Sequence, residues 1–258
     1  MLSLPPNPSH VRDSLVIIPT YNEKENIERI LRKVFSFSHP FHVLVVDDGS
    51  PDGTANIVKH LQSEFTEQLH LLERKGKLGL GTAYIAGFRY AIEKGYAFVF
   101  EMDADFSHNP EDLIRLREAC VSGGGDFAIG SRYTRGGKVE NWPWNRILMS
   151  YFASVYVNAI LWMGIRDCTA GFKCYKREVL ETIDLDSIEF VGYAFQIEMK
   201  YKAQRLGFKA VEVPVTFIDR QFGESKMSMS IFKEALMGVL RMRFMRVRRA
   251  KTAPKLRQ

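Results

Sequence analysis

The sequence predicts an α/β protein built on an open, doubly wound, mainly parallel sheet flanked by helices. Short apolar runs alternate with helix-period segments through the first half of the chain. The runs are apolar on both faces, as strands covered by helices on each side must be. Clusters of Asp, Glu, Arg and Gly follow the runs directly, and open sheets of this kind bind ligands beyond the carboxyl ends of their strands.

In chain order, the first run is 15–18 (LVII), followed by a helix-period segment over 23–35. The second is 43–46 (VLVV), with a helix over 54–64, and the third is 69–72, with a helix over 81–94. A fourth run, 97–102 (AFVFEM), leads to a helix over 110–121 that opens with Pro110, Glu111 and Asp112. Proline and acids suit a first helical turn and its dipole. The fifth run is 127–129. Right-handed crossovers between such strands give a doubly wound sheet. From about Trp142 the alternation stops, giving way to a long apolar helix, a short strand over 172–175, more helix, and two strand-like runs around Pro214. This half is expected to pack on the sheet as an extension.

With 258 residues, 46% hydrophobic and 26% charged, the composition is that of a globular α/β enzyme with ample core material. The net charge is +6, and residues 241–257 are rich in Lys and Arg with no acid. Such a tail suits an anionic membrane face or nucleic acid, or is simply a solvated end. It has no folded recognition motif or aromatic interleaving, so nucleic acid is not an expected partner. Cys120, Cys168 and Cys174 are odd in number and lack CxxC spacing, which favours a reducing compartment over a disulfide framework or a zinc site. No signal-peptide pattern opens the sequence. Residues 147–165 form nineteen positions without a charge, near the ~20 needed to span a bilayer. Ser150, Tyr151, Ser154, Tyr156 and Asn158 argue instead for an interfacial or core helix.

The strand ends carry the chemistry. Asp103 and Asp105, two apart after the fourth run, can meet one hard cation that takes its other oxygens from water and substrate phosphate. Ser107 can add a hydroxyl. The competing reading is a capped turn, although two close carboxylates repel unless something positive lies between them. Asp48 stands in 47–53 (DDGSPDG), either an ordinary turn or an acceptor for a base or ribose. Tyr21 and Glu23, in 19–23 (PTYNE), either contact a base or begin a helix. No Walker A loop or GxGxxG occurs, which disfavours P-loop chemistry and dinucleotide oxidoreduction. Arg132, Arg135, Arg146, Arg220 and Lys226 each follow an element end and are candidates to hold phosphate.

The blocks IPTYNE, VVDDGSPDGT, LGLGTAYIAGF, MDADFSH, GSRY, DCTAGFKCYKREVLE, GYAFQIEM and DRQFGESKM, in this order over nearly the whole chain, resemble the polyprenyl-phosphate (dolichyl-phosphate) mannosyltransferases of glycosyltransferase family 2, which have a GT-A fold. The resemblance implies an inverting transfer of mannose from GDP-mannose to dolichyl or polyprenyl phosphate, with Mg²⁺ or Mn²⁺. It implies that Pro19, Tyr21, Glu23, Val46 and Asp48 line the guanosine. Asp103 and Asp105, with Ser107 and the Ala104 backbone, would hold the metal against the diphosphate. Arg132, Arg220 and Lys226 would bind donor phosphates, and Arg132, Arg146 and Ser150 the lipid phosphate. Some relatives have glutamine where Ser107 stands. The implied layout is a flexible arm over 1–12, one catalytic domain over 13–240 and a basic tail over 241–258. Amphipathic C-terminal helices at 147–165 and 231–247 would lie on the cytoplasmic face of a membrane, where small membrane subunits can assist.

A lipid monophosphate loses its second proton near pH ~6 and so needs no general base. The nearest alternative is a family 2 enzyme using UDP-glucose or an aminosugar donor on the same lipid. A transferase acting on hydroxyl acceptors would need a base.

Overall fold

Strand β1 (Ser14–Thr20) sends alternate side chains to opposite faces, and both faces are covered. Leu15 and Ile17 join one buried cluster, while Val16 and Ile18 join another. Fully burying each such side chain contributes about 1.5–3 kcal/mol, which is why the run carries no polar face. The computed structural model describes residues 13–219, 229–251 and 253, with the backbone alone at 229–235. The arm at 1–12 lies outside the described residues.

The expected alternation is present: α1 (Ile27–Phe35), β2 (His42–Asp47), α2 (Thr54–Leu61), β3 (Leu69–Glu73), α3 (Leu80–Lys94), β4 (Phe98–Glu101), α4 (Asp112–Val121) and β5 (Phe127–Ser131). The second half supplies β6 (Lys138–Glu140), α5 (Trp144–Leu161), β7 (Lys173–Lys176), α6 (Arg177–Thr182), α7 (Ala194–Arg205), β8 (Ala210–Pro214), β9 (Thr216–Ile218) and α8 (Met229–Phe244). The main sheet has the order β3-β2-β1-β4-β7-β5-β8, and β6 pairs with β9 in a small second sheet. All pairings are parallel except those of β7, which runs antiparallel to β4 and β5.

Three details differ from the sequence reading. The helix expected over 147–165 is α5, Trp144–Leu161, closed by Trp162 in a left-handed φ of 56°. The second half does not merely pack on the sheet, because β7 and β8 are woven into it. Helix α1 begins at Ile27 instead of near Glu23: residues 24–26 form a turn that leads into it, with the Asn26 and Ile27 N–H groups donating to the Glu23 carbonyl at 3.0 and 2.9 Å.

Strand order reverses between β1 and β4, which opens a crevice at their carboxyl ends. Helix α7 lies so deep that residues 194–203 are all buried, Gln196, Glu198, Lys200 and Lys202 included. Among the described residues, no helix is long and apolar enough to cross a membrane.

Candidate active site

The first wall of the crevice is made where β1 and β2 end. Asp47 accepts hydrogen bonds from the Thr20 hydroxyl at 2.8 Å and from the Ser50 N–H and hydroxyl at 2.9 and 2.6 Å, folding the loop after β2 back on itself. That loop then splints the one after β1. Ser50 Oγ accepts from the Asn22 N–H at 3.0 Å, Thr54 Oγ1 from the Glu23 N–H at 3.0 Å, and Asp52 Oδ2 from the Lys24 N–H at 3.1 Å. The turn-forming residues of DDGSPDGT thus have a further task. They present PTYNE to the cavity.

This cavity, about 420 Å³, is lined by Pro19, Tyr21, Glu23, Asp48 and Ala104, as well as by Asp103 and Asp105. Lys77 Nζ sits 5.1 Å from the centroid of the Tyr21 ring. Asn26 Nδ2 donates to Glu23 Oε2 at 3.1 Å. Asp48 accepts Arg74 Nε–H at 2.6 Å and the Leu78 N–H at 3.3 Å, and Arg74 in turn donates to Thr82 Oγ1 at 2.8 Å. Val46 is not brought to the cavity: its side chain is fully buried in the core.

Beyond β4, Phe106 adopts a φ of 59° and turns the chain so that the Ser107 N–H donates to Asp105 Oδ1 at 3.0 Å. His108 Nδ1 accepts the Asp103 N–H at 3.4 Å and lies 3.9 Å from Asp103 Oδ2. Its ring stacks on Phe172, with centroids 4.8 Å apart. Burial pushes the His108 pKa down to about 4, so the imidazole is neutral at neutral pH. Tyr84 donates to Asp103 Oδ1 at 3.5 Å.

A second cavity, about 180 Å³, shares Asp103 and Asp105 with the first and adds Ser107, Arg132, Arg146 and Ser150. Arg132 follows β5 and is buried, its fork closed on Asp167 by Nε–H to Oδ2 at 2.7 Å and Nη2–H to Oδ1 at 2.6 Å. Nη2 also donates to Thr169 Oγ1 at 2.7 Å. Burial opposes both charges, yet each partner outweighs it: Arg132 is raised, and Asp167 is held below the usual carboxylate range. The guanidinium carbon lies 5.5 Å from the Trp142 centroid, and that of Arg146 lies 3.9 Å from the same ring, so one indole aligns both cations. Arg146 also pairs with Asp219 at 3.0 Å. Arg220 and Lys226 lie outside the described residues. Lys200 Nζ donates to the Ala170 carbonyl at 2.7 Å, fixing the segment that carries Asp167 and Thr169. Burial, helped by the charge of Lys173, pushes the Lys200 pKa down to about 7.

Sequence reasoning missed Arg74, His108, Asp167 and Gln196. Arg74 follows β3 directly, so the strand-end rule could have found it. The other three stand inside motif blocks, but only the fold reveals what they touch.

Among the described residues, no three His, Cys, Asp or Glu side chains converge into a closed metal cage. Asp103 and Asp105 instead border both cavities. An ion there must draw further oxygens from water and substrate phosphates, as Mg²⁺ does, so the residues present fit such a cation.

The glycosyl transferase family 2 model matches residues 15–184. The chain is 49% identical over 236 residues to the polyprenol monophosphomannose synthase of Mycolicibacterium smegmatis, covering 90% of this chain and 89% of that relative. It is 47% identical over 227 residues to the undecaprenyl-phosphate mannosyltransferase of Micrococcus luteus, covering 88% and 92%. Among solved structures, a mannosyltransferase from Pyrobaculum calidifontis in complex with GDP-Man and Mn²⁺ matches with a TM-score of 0.57 at 18% identity, over 93% of this chain and 72% of the other. The glucosyl-3-phosphoglycerate synthase of Mycobacterium tuberculosis in complex with UDP matches at 0.65 and 15% identity, over 91% and 81%. Likeness at such identities bears on the fold alone, and it agrees with the GT-A-type sheet expected from the sequence. With a family model across most of the sheet and two relatives near half identity, the chain belongs to glycosyl transferase family 2.

Proposed function

We propose that the chain transfers mannose from GDP-mannose to a polyprenyl or dolichyl phosphate, inverting the anomeric centre with the help of Mg²⁺ or Mn²⁺. The observation that carries this reading is the pair of cavities meeting at Asp103 and Asp105. One offers Tyr21, Glu23 and Asp48 to a nucleoside. The other offers Arg132, Arg146 and Ser150 and then an apolar wall that includes Met149, Ala153 and Val157, suited to a phosphate with a hydrocarbon tail. The activities for which the relatives from Mycolicibacterium smegmatis and Micrococcus luteus are named support the same lipid and sugar.

The bond from the anomeric carbon to the GDP oxygen breaks as one forms to the lipid phosphate oxygen, and GDP departs. The lipid phosphate carries most of two negative charges at neutral pH, so no residue need take a proton from it. Arg146 and Ser150 bind that phosphate. Arg132, neutralised by Asp167, contributes oriented N–H groups more than net charge. Arg220 and Lys226 bind the donor phosphates. Asp103 and Asp105 would hold the ion, with Ser107 beside them. When bound, the ion offsets repulsion between the phosphates and stabilises the departing diphosphate.

The lipid also supports a site on the cytoplasmic face of a membrane. On α5, Trp144, Leu148, Tyr151, Phe152, Val155 and Trp162 just after it are exposed and form a single helical stripe, opposite the buried Ser154, Val157 and Leu161. Met237, Leu240 and Phe244 extend it on α8, and Arg243 sits 4.5 Å over the Trp162 ring. An exposed apolar stripe edged by arginines fits an anionic membrane surface, and small membrane subunits can share that face.

Incubation with GDP-mannose, UDP-glucose or an aminosugar nucleotide and a short polyprenyl phosphate, followed by organic extraction, tests the reading. Labelled lipid from GDP-mannose alone, abolished by a chelator, is expected. Product from another donor, or chelator-insensitive turnover, overturns it.

A further inference from the structure

Of the four polar side chains that α7 carries into the interior, Gln196 is the one that lines the second cavity, beside Asp103, Asp105 and Gly171. Its amide is gripped at both ends. Lys173 Nζ donates to Oε1, and Nε2 donates to Glu101 Oε2 at 2.8 Å. Lys173 and Glu101 have no exposed surface and pair with each other at 3.0 Å. A lysine can only donate and a carboxylate can only accept, so these neighbours dictate which end of the amide is oxygen. A buried ion pair is often no more stabilising than a well-packed apolar pair of the same volume. What this one achieves is a single orientation of Gln196.

The amide nitrogen has two hydrogens, and one goes to Glu101. The second has no partner among the described residues, although Gln196 is only 3% exposed. Space remains next to it. A Cβ added at Gly171 would lie 3.7 Å from Gln196 Nε2 and 3.9 Å from His108 Cε1, with nothing nearer. Gly171 therefore leaves a gap of about a methyl group between a fixed donor and the His108 ring.

We propose that the spare N–H of Gln196 donates to a hydroxyl of the hexose being transferred, making Gln196 a specificity-determining residue. This rests on the proposed reading of the second cavity as the place of transfer. There the sugar lies between the diphosphate at Asp103 and Asp105 and the acceptor phosphate at Arg132 and Arg146. A neutral amide suits that position, because it can read a hydroxyl oxygen without competing with the cation for phosphate and without acting as a base. A donor locked in place and otherwise unsatisfied also discriminates strongly against a sugar that lacks the hydroxyl.

The test is a cycle between Gln196→Met and the monodeoxy GDP-mannose donors, each lacking one hydroxyl, read as kcat/KM. With the wild type, one deoxy donor is expected to lose about 10–100-fold relative to GDP-mannose, as one buried donor left without a partner implies. With Gln196→Met, that donor and GDP-mannose should differ by less than about twofold, while the other donors keep their wild-type ratios. Losses that multiply for every donor overturn the proposal. Gly171→Ala is the companion variant, since it leaves the amide network intact and fills the gap. It should lower kcat/KM with Tm retained, and unchanged turnover would count against the proposal. Binding of GDP with Mn²⁺ should be equal in all three proteins, which separates this idea from the nucleotide assignment. If the wild type uses another nucleotide sugar, the proposed function fails, and the same cycle on that donor's deoxy series decides the role of Gln196.

Discussion

The two walls of the crevice are built in different ways. The nucleotide wall is held by short side chains on backbone N–H groups: Ser50, Asp52 and Thr54 fix residues 22–24 from a loop about thirty positions away. The acceptor wall is held by charge brought from further off. Arg132 meets Asp167 across 35 positions, Arg146 meets Asp219 across 73, and Gln196 meets Glu101 across 95. Removing a hydroxyl from the first wall leaves one amide short of a partner. Removing a carboxylate from the second leaves a cation stranded away from water. The walls should therefore fail differently, the first by loosening and the second by losing charge balance. Asp48 with Arg74 is a nearly buried ion pair on the nucleotide side, and it belongs to the second kind.

The largest effect is expected at the border. Asp103 lines both cavities, so Asp103→Ala should lower turnover by about 10³-fold or more and remove metal-dependent GDP binding. Near-normal activity in excess Mg²⁺ would mean that the walls do not meet at a metal.

Asp167→Asn comes next and strikes only the acceptor wall. It keeps the shape but strips the partner from a guanidinium that is itself buried. A broken buried pair costs about 3–5 kcal/mol, so urea or thermal unfolding should register a large loss, and the KM for lipid phosphate should change. A stability loss below about 1 kcal/mol would show that Arg132 is better hydrated than its 9% exposure implies.

Arg146→Ala is milder, since Arg146 is a quarter exposed and shares its charge with Asp219. The acceptor KM should rise about tenfold, equivalent to ~1.4 kcal/mol, while calorimetry with GDP and Mn²⁺ returns the wild-type affinity. Equal losses for donor and acceptor would erase the distinction between the walls.

The same division explains what the sequence made legible. Strands apolar on both faces announced the sheet, and the strand-end rule located Tyr21, Asp48, Asp103 and Arg132, because each follows a strand directly. Nothing local marks Asp167 as the partner of Arg132, or Glu101 and Lys173 as the clamps on Gln196, since each becomes a partner only after β7 enters the sheet antiparallel between β4 and β5. Val46 shows the opposite error. The resemblance implied a guanosine contact for it, but alternation along β2 turns its side chain into the core. An Asp at a strand end is conspicuous because burial there is costly, whereas a valine looks the same whether it lines a cavity or fills an interior.

The smallest effect is expected on the nucleotide wall, and it probes the comparison most finely. Thr54 is fully buried, and its hydroxyl both accepts the Glu23 N–H and donates to Asp52 Oδ1 at 2.6 Å. Thr54→Val keeps the volume and removes both bonds. One amide left without a partner costs about 1–3 kcal/mol, and relaxation toward the nearby cavity should bring the loss to the low end of that range. The loop carrying Tyr21 and Glu23 would then be less well fixed, so the donor KM should rise a few-fold while the lipid KM stays put, the mirror image of Arg146→Ala. A variant with normal donor KM but reduced stability would make the splint a folding device alone. A change in lipid KM would mean that the walls are mechanically coupled through Asp103, and the contrast between loosening and charge imbalance would have to be replaced by a single shared framework.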